Sequence, residues 1–354
     1  MRKDTRKKSE LSRVVVGIDV SDKWSYAYVL GEEDGPWEAR FRTRPAAVRK
    51  FFEEFPGPMQ VVLEVGTHSP WMAELLEGLG HEVLVADPSR LPLISRGKKK
   101  SDRLDAETLA RLGAADRKLL SPVRHRPEEV RLDVAKLRER ALLVQERARL
   151  VTSVRGTVKS FGELVSGGCS TEAFTRRAVE SVSEKVLGAC PGRLRMIEKL
   201  TEEIREADRW IARRIREAYP EAELLQGIPG VGPVVSLTFV LMVVDPRRFR
   251  NARALTAYIG LTPRLRESGE MRLPGRLSRT GDAELRRVLI QAAHHVLGKK
   301  GRDSRLRRWG LAVEARRGKK KAVAAVARKL AMIMYRMWLT GEPWDPERGL
   351  RQAA

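Results

Sequence analysis

The chain has 354 residues, enough for two or three domains, and its 42% hydrophobic content is typical of a folded soluble protein. Lysine and arginine outnumber aspartate and glutamate by 69 to 46, and the net charge of +23 favours a polyanionic partner, most commonly nucleic acid. No apolar run approaches the roughly 20 residues that span a bilayer, so the sequence argues against a membrane protein.

The ends and the cysteines predict a protein of the reducing cytoplasm. The basic N-terminal stretch "MRKDTRKKSELSR" is not followed by the apolar segment of a secretory signal. The two cysteines, Cys169 and Cys190, lack metal-ligand spacing, and we expect no disulfide framework.

The first 125 residues alternate between strand-like and helix-like segments. Helical periodicity occupies "AAVRKFFEEF" and "WMAELLEGLG", and a further helix begins near Ser101. The predicted strands are 14–20, 24–30, 37–43, 60–66 and 81–88. The resulting order, β-β-β-α-β-α-β-α with a hairpin first, favours an RNase H-like mixed sheet over a simple doubly wound fold. We predict an α/β domain over 14–125, preceded by a basic arm over 1–13.

Four carboxylates fall at positions where this domain could gather them. Asp19 ends the first strand and Glu64 lies near the end of a later one, while Asp102 and Asp105 share one face at the start of a helix. Clustered carboxylates repel one another unless a cation neutralises them, and Mg²⁺ or Mn²⁺ prefers oxygen ligands. Paired ions of this kind promote phosphoryl transfer. The pattern predicts a metal site that acts on a phosphodiester.

Each acid also has a structural interpretation. Asp19 could cap a turn, Asp102 could be a helix N-cap, and Asp105 could favour the helix dipole. Glu64 is harder to explain in this way, because a charge inside an apolar strand usually has a partner or a function. Just before the helix, Lys98, Lys99 and Lys100 are predicted to contact nucleic acid.

A second region, over 126–220, has the apolar spacing of long helices. The first seam comprises Val130, Val134, Leu137, Ala141, Val144, Ala148 and Val151, and the second comprises Ile197, Leu200, Ile204, Ala207, Ile211 and Ile215. A Gly/Ser-containing segment separates them, so we predict an antiparallel helical hairpin. Two interpretations stay open: a bundle packed within one chain, or a coiled-coil arm that dimerises.

A third, mainly helical region is predicted over 221–340, with a tail over 341–354. The turn "GIPGVG" is typical of a helix-hairpin-helix motif, in which the backbone at Gly230 and Gly232 would meet phosphates; a purely structural turn is the alternative. A helix begins at about Ala283, and Ser278 and Thr280 are the predicted caps.

The polar stretch before that helix contains a serine among arginines. A hydroxyl at Ser268, next to a glycine, could approach a phosphate, although a loop serine without function is the simpler reading of the spacing. The arginines could bind nucleic acid or stabilise a charged transition state. They are Arg264, Arg266, Arg272, Arg276 and Arg279.

Taken in order, "GIDVSDKWSYAYVL", "LEVGTHSPWMAELL", "KKKSDRLDAETLARL", "IPGVGPVVSLTFV", "RALTAYIGLTPRLRESG" and "GRLSRTGDAELRRVLIQAAHHVL" resemble the insertion sequence 110 family of transposases. The resemblance spans nearly the whole chain and leaves the related 1111 branch open. It implies a RuvC-like DEDD domain whose acids fall on Asp19, Glu64, Asp102 and Asp105, and a C-terminal transposase domain whose catalytic serine falls on Ser268.

The resemblance also implies partners and a mechanism. Members excise and insert a mobile element, guided by a structured bridge RNA that pairs with donor and target DNA. They assemble from dimers to a tetramer, with composite sites, and would act on the nucleoid of a prokaryotic cell. Ser268 would form a phosphoserine link to DNA. The rival functions are a RuvC-like junction-resolving endonuclease that uses water, and a non-catalytic nucleic-acid-binding protein.

Overall fold

The structure is a computed structural model that describes residues 14–31, 35–55, 57–87, 102–166, 170–268 and 271–347. Within these ranges, the side chains of residues 265–268, 271–274 and 276 are outside the description. The basic arm and Lys98, Lys99 and Lys100 fall outside the described residues. The chain divides into two units, Met1–His125 and Arg126–Ala354.

A mixed sheet forms the centre of the first unit. Its strands are β1 (Val15–Val20), β2 (Trp24–Leu30), β3 (Trp37–Arg42), β4 (Gln60–Glu64) and β5 (Glu82–Ala86). They lie in the order β3-β2-β1-β4-β5. β1 pairs antiparallel with β2 and parallel with β4, because the hairpin reverses the chain directly and a helical crossover does not.

Helices cover both faces of this sheet. They are α1 (Pro45–Glu53), α2 (Ser69–Gly78) and α3 (Asp102–Ala115). Side chains alternate along a strand, so Leu63 packs with Met72 of α2 on one face, whereas Val62 packs with Leu109 of α3 on the other. The prediction of a mixed α/β sheet in this part of the chain is confirmed.

Two long helices open the second unit. α4 (Glu128–Ser160) packs against α7 (Pro191–Ala218), and the shorter helices α5 (Phe174–Ser181) and α6 (Glu184–Leu187) lie between them in sequence. Most seam residues are buried, but Ala148 is exposed and Arg147 is buried in its place. The Arg147 guanidinium donates to Thr201 Oγ1 on α7 over 3.2 Å.

A buried carboxylate fastens the start of α4 to the end of α7. Asp133 is 5% exposed and accepts hydrogen bonds from Arg214 Nε at 2.9 Å and from Tyr219 Oη at 2.6 Å. Burial, followed by the hydrogen bond to Asp133, raises the pKa of Tyr219, which keeps the phenol a donor. A buried charge that is paired in this way holds the two helix ends together.

The remaining helices form one large apolar core. They are α8 (Pro220–Leu225), α9 (Pro233–Val243), α10 (Ala252–Ile259), α11 (Ala283–Leu297), α12 (Arg305–Arg317) and α13 (Lys319–Thr340). Between α10 and α11, the stretch noted above as polar contains a β-hairpin of β6 (Pro263–Ser268) and β7 (Met271–Leu277). No helix in the described ranges is long and apolar enough to cross a membrane.

Candidate active site

Asp19 and Glu64 lie side by side at the ends of two parallel strands. The last paired residues of β1 and β4 are Ile18 and Leu63, so the two acids follow at the next position on each strand. Both side chains are partly buried. Neighbouring positions in a parallel pair face the same side of the sheet, so β1 and β4 present both carboxylates to one face.

That face is the one covered by α3. A Cβ added to Gly17 would lie 2.1 Å from the carbonyl oxygen of Ala106, so only glycine permits the helix to approach β1 this closely. On β4, Gln60 Nε2 donates to the carbonyl oxygen of Gly113 over 2.9 Å. Gly17 and Asp19 are two residues apart on one strand, and side chains two apart share a face.

The same contacts give the direction of α3. Gly113, near its end, lies against the start of β4, and Ala106, near its beginning, lies against Gly17. α3 therefore runs antiparallel to β1, and its first turn, with Asp102 and Asp105, lies toward the strand ends that carry the other two acids. From Ala106 back to Asp102 is about 6 Å of helix, and two residues of strand advance about 7 Å.

The four predicted acids thus occupy one end of one sheet–helix layer. Asp102 is exposed, while Asp105, Asp19 and Glu64 are partly buried. Among the described residues, no group of three or more His, Cys, Asp or Glu side chains is gathered closely enough to hold a metal ion. All four side chains offer carboxylate oxygens, which are the ligands that hard divalent cations prefer.

Replacing Gly17 with alanine tests this geometry. The new methyl group overlaps the backbone of α3, so we expect α3 to be displaced, strand cleavage to be lost, and the free energy of unfolding to fall by about 1–3 kcal/mol. Urea denaturation and a DNA cleavage assay measure the two effects. Gly31→Ala is the matched control, because nothing lies within 4 Å of a Cβ at that position. A Gly17→Ala protein with wild-type stability and cleavage would refute the close packing.

A histidine joins the two loops that follow the strands carrying Asp19 and Glu64. His68 Nε2 lies 3.1 Å from Asp22 Oδ1, and the Trp71 indole N–H donates to His68 Nδ1 over 3.1 Å. An indole nitrogen only donates, so Nδ1 accepts and Nε2 carries the proton given to Asp22. This bond ties the turn after β1 to the loop after β4, and no sequence pattern connects positions so far apart.

Ser268 occupies a different place from the loop predicted for it. It is the last residue of β6, and its backbone pairs with Met271 at the start of β7. Its side chain, with those of Arg266, Arg272 and Arg276, is outside the description. Only two residues separate the strands in sequence, and one of them is a glycine, a hairpin signal that the polar composition concealed.

The base of this hairpin is held by Arg286 of α11. Its Nη1 donates to the carbonyl oxygens of Ile259 at 3.0 Å and Gly281 at 2.9 Å. Arg264 and Arg279 are both exposed, and Arg264 Nη2 donates to the carbonyl oxygen of Ser278 over 3.2 Å. α11 thereby fixes the two ends of the hairpin.

The predicted caps of α11 are wrong. The N-cap is Asp282, whose Oδ1 accepts from the backbone N–H of Leu285 over 2.8 Å. Ser278 and Thr280 instead lie 3.1 Å apart, hydroxyl to hydroxyl. Aspartate immediately before the helix can reach the free N–H groups, whereas the other two residues lie too far back.

The "GIPGVG" turn joins α8 to α9. Gly230 has φ +88°, and a Cβ there would lie 3.1 Å from the carbonyl oxygen of Ala292 in α11, so this glycine permits both the turn and the packing. Gly232 immediately precedes α9 and has open space beside it. α11 therefore encloses Gly230, whereas no neighbouring atom lies within 4 Å of a Cβ added at Gly232.

Comparisons with known proteins match both parts of the chain to transposase families. The family model described as Transposase IS116/IS110/IS902 family matches residues 222–307, which include Ser268, and a DEDD transposase model of the IS110 type matches residues 16–162, which include the four acids. These matches define the class of protein as a DNA transposase.

Similar transposases extend over most of the chain. A Sinorhizobium fredii protein assigned as a transposase, y4pF/y4sB, is 29% identical over 99% of this chain and 90% of its own length. The transposase for insertion sequence element IS1111A of Coxiella burnetii is 28% identical over 78% of this chain and 76% of its own. That for IS1328 of Yersinia enterocolitica is 26% identical over 91% and 95%. The chain belongs to the IS110 family of transposases.

Proposed function

We propose that this transposase cuts and rejoins DNA strands at a site formed by Asp19, Glu64, Asp102 and Asp105 together with Ser268. The observation that carries the proposal is the packing of α3 on β1 and β4. In this packing the first turn of α3, which carries Asp102 and Asp105, lies toward the ends of the strands that carry Asp19 and Glu64, and this supports the proposal. Residues 14–125 would form an RNase H-like catalytic domain, for which the sheet order and the hairpin at its start are the support.

The four carboxylates would hold Mg²⁺ or Mn²⁺. Their donor set is all oxygen, which suits hard divalent cations and not zinc-like metals. When bound, such an ion supplies Lewis-acid stabilisation of charge on a phosphate. In this protein's own chemistry, the four carboxylates would hold the ion and offset its positive charge, and arginines and lysines would bind the DNA backbone.

Ser268 would act as the nucleophile. Its Oγ forms a bond to the scissile phosphorus and loses its proton, while the bond from phosphorus to the 3′ oxygen breaks and that oxygen takes up a proton. The products are a phosphoserine link to one DNA end and a free 3′-OH on the other. The reverse reaction with a new 3′-OH reseals the strand, and no ATP is required because the number of phosphoester bonds is conserved.

We propose that residues 126–220 and 221–340 complete the assembly. α4 and α7 would form a coiled-coil connector between subunits, and the turn before α9 would serve as a helix-hairpin-helix contact to DNA. The acids of one subunit would then act with Ser268 of another in dimers that associate to a tetramer. The protein would act in the cytoplasm, on DNA of the nucleoid.

A structured bridge RNA is the proposed guide, and it gives the most direct test. RNA that copurifies with the expressed protein, when its gene is supplied with native flanking DNA, is sequenced. We expect one abundant structured RNA from that flank, with segments complementary to the donor and target DNA, because the net charge of +23 favours a polyanion. A collection of unrelated host RNA fragments, present in equal amounts when the flank is deleted, would reject RNA guidance.

A further inference from the structure

Four side chains at the free edge of the sheet combine aromatic rings with guanidinium groups. Trp24 and Tyr26 lie on β2, and Arg42 and Arg40 are their respective cross-strand partners on β3. The guanidinium carbon of Arg40 lies 4.2 Å from the Trp24 ring centre and 5.3 Å from that of Tyr26, and Arg42 lies 4.0 Å from Trp24. We call these four residues the aromatic–arginine surface.

This surface begins next to the four-acid site. Asp19 of β1 is directly paired with Tyr26 of β2, and Tyr26 is paired with Arg40 of β3. Directly opposite residues share a face, so these three side chains form one row across the sheet. At about 4.8 Å per strand, the row is about 10 Å long, comparable to one or two nucleotides of an extended strand.

α3 leaves the surface accessible. The helix covers the inner part of this face, where Ala106 and Ala110 pack on Tyr28. Further along β2, Tyr26 and Trp24 are only partly buried. Arg40 and Arg42 are exposed on the edge strand, so a ligand that approaches Asp19 from that edge must pass over them.

The positive charge of the surface is not neutralised locally. Glu38 lies on the same side of β3 as the two arginines, but Arg103 of α3 forms an ion pair with it. Within the described residues, neither Arg40 nor Arg42 forms an ion pair with a carboxylate. Two guanidinium charges are therefore available to phosphates, and their planes and the rings beneath them offer faces on which bases stack.

We propose that the aromatic–arginine surface binds an unpaired stretch of the DNA strand that is cut at the four-acid site. A base would stack on the layer formed by Trp24 and Arg40, while Arg42 and Arg40 contact the flanking phosphates. The strand is unpaired because a duplex hides the base faces. It is DNA because the row starts at Asp19, and in this respect the proposal rests on the proposed function.

Binding of single-stranded DNA by the full-length protein tests whether the two arginines contact phosphates. A short fluorescein-labelled single-stranded oligodeoxynucleotide is titrated, and its anisotropy is followed at several salt concentrations. We expect Arg40→Gln/Arg42→Gln to weaken binding about tenfold and to reduce the slope of log K against log salt by about 1.4, since each lost phosphate contact removes about 0.7. The control is Arg49→Gln/Lys50→Gln, which removes two exposed charges of α1 on the opposite side of the sheet and leaves the slope unchanged.

Other outcomes would overturn the proposal. If the salt slope of the Arg40→Gln/Arg42→Gln protein is unchanged, these arginines do not contact phosphates. If the double variant loses as much affinity for the matching duplex, bases do not stack on the surface. If it loses more affinity for RNA of the same sequence, the surface binds RNA instead of DNA.

A photochemical cross-link tests whether the DNA lies on this surface, without any substitution in the protein. An oligodeoxynucleotide containing 5-iodouracil is irradiated with the wild-type protein, and the cross-linked peptides are identified by mass spectrometry. We expect a cross-link at Trp24 or Tyr26. Cross-links confined to other peptides would refute the proposal. Neither experiment requires cleavage, so a catalytically inactive Asp102→Asn protein should give the same binding result. The binding surface can therefore be tested independently of the proposed chemistry.

Discussion

Asp102→Asn is expected to lower the rate of DNA strand cleavage by about 10³-fold or more, equivalent to about 4 kcal/mol of transition-state stabilisation. The substitution preserves the size of the side chain and removes one negative charge from the exposed start of α3. A metal site that loses a carboxylate holds its ion less tightly and places it less accurately. Binding of DNA should be retained or slightly tightened, because one repulsive charge near the phosphates is gone.

The measurement is single-turnover cleavage of labelled DNA with and without Mg²⁺, alongside a binding titration. Glu107→Gln is the matched control: it makes the same charge change on α3, at a side chain that pairs with Arg111 over 2.8 Å, and should keep cleavage. Full Mg²⁺-dependent cleavage by Asp102→Asn would remove this residue from the metal site. If the wild-type protein cleaves DNA equally well in the presence of a chelator, the proposed metal requirement is wrong.

Ser268→Ala is expected to eliminate covalent protein–DNA adducts altogether. Alanine cannot form the bond to phosphorus, so strand cleavage through the serine should fall by at least about 10⁴-fold, as for other nucleophile deletions. End-labelled DNA is incubated with protein and Mg²⁺, the reaction is stopped with detergent, and labelled adducts are resolved by gel electrophoresis. The wild-type protein should give an adduct that disappears after protease treatment.

Ser278→Ala provides the control on the same segment, since its hydroxyl contacts Thr280 and no reaction is assigned to it. Adducts that persist in Ser268→Ala would identify another residue as the nucleophile. A wild-type protein that cuts DNA without any adduct would instead support the junction-resolving endonuclease, which shares the four acids and uses water.

Much of the first unit could be predicted from sequence because its strands are short, apolar and bounded by turn residues. "VVVGIDV" and "QVVLEVG" correspond to β1 and β4. The short turn within "VSDKW" joins β1 to β2, which form the predicted hairpin. The spacing of Asp102 and Asp105 predicted a helix face, and α3 begins at Asp102. These features depend on neighbours in sequence, where side-chain periodicity and turn chemistry act.

The errors arose where contacts distant in sequence overrode local pattern. The strands β6 and β7 are rich in arginine, and this polar composition concealed both their alternation and their pairing. Arg147 replaced Ala148 in the α4–α7 interface because Thr201, on the other helix, offers its guanidinium a partner. Asp282, and not the predicted residues, caps α11 because only the side chain directly before the helix reaches its free N–H groups.

The sequence by itself determined the α/β nature of the first region, the helical nature of much of the rest and the positive charge, and it supplied the four acids and the serine as candidates for a site. Tertiary structure decided which of these residues meet. Only the approach of α3 to Gly17 brings the first turn of that helix toward the strand ends that carry Asp19 and Glu64, and only the β1–β2–β3 register puts Tyr26 and Arg40 in line with Asp19. The reason is physical: periodicity specifies the face a side chain lies on, whereas the partner across that face is set by packing between segments far apart in the chain.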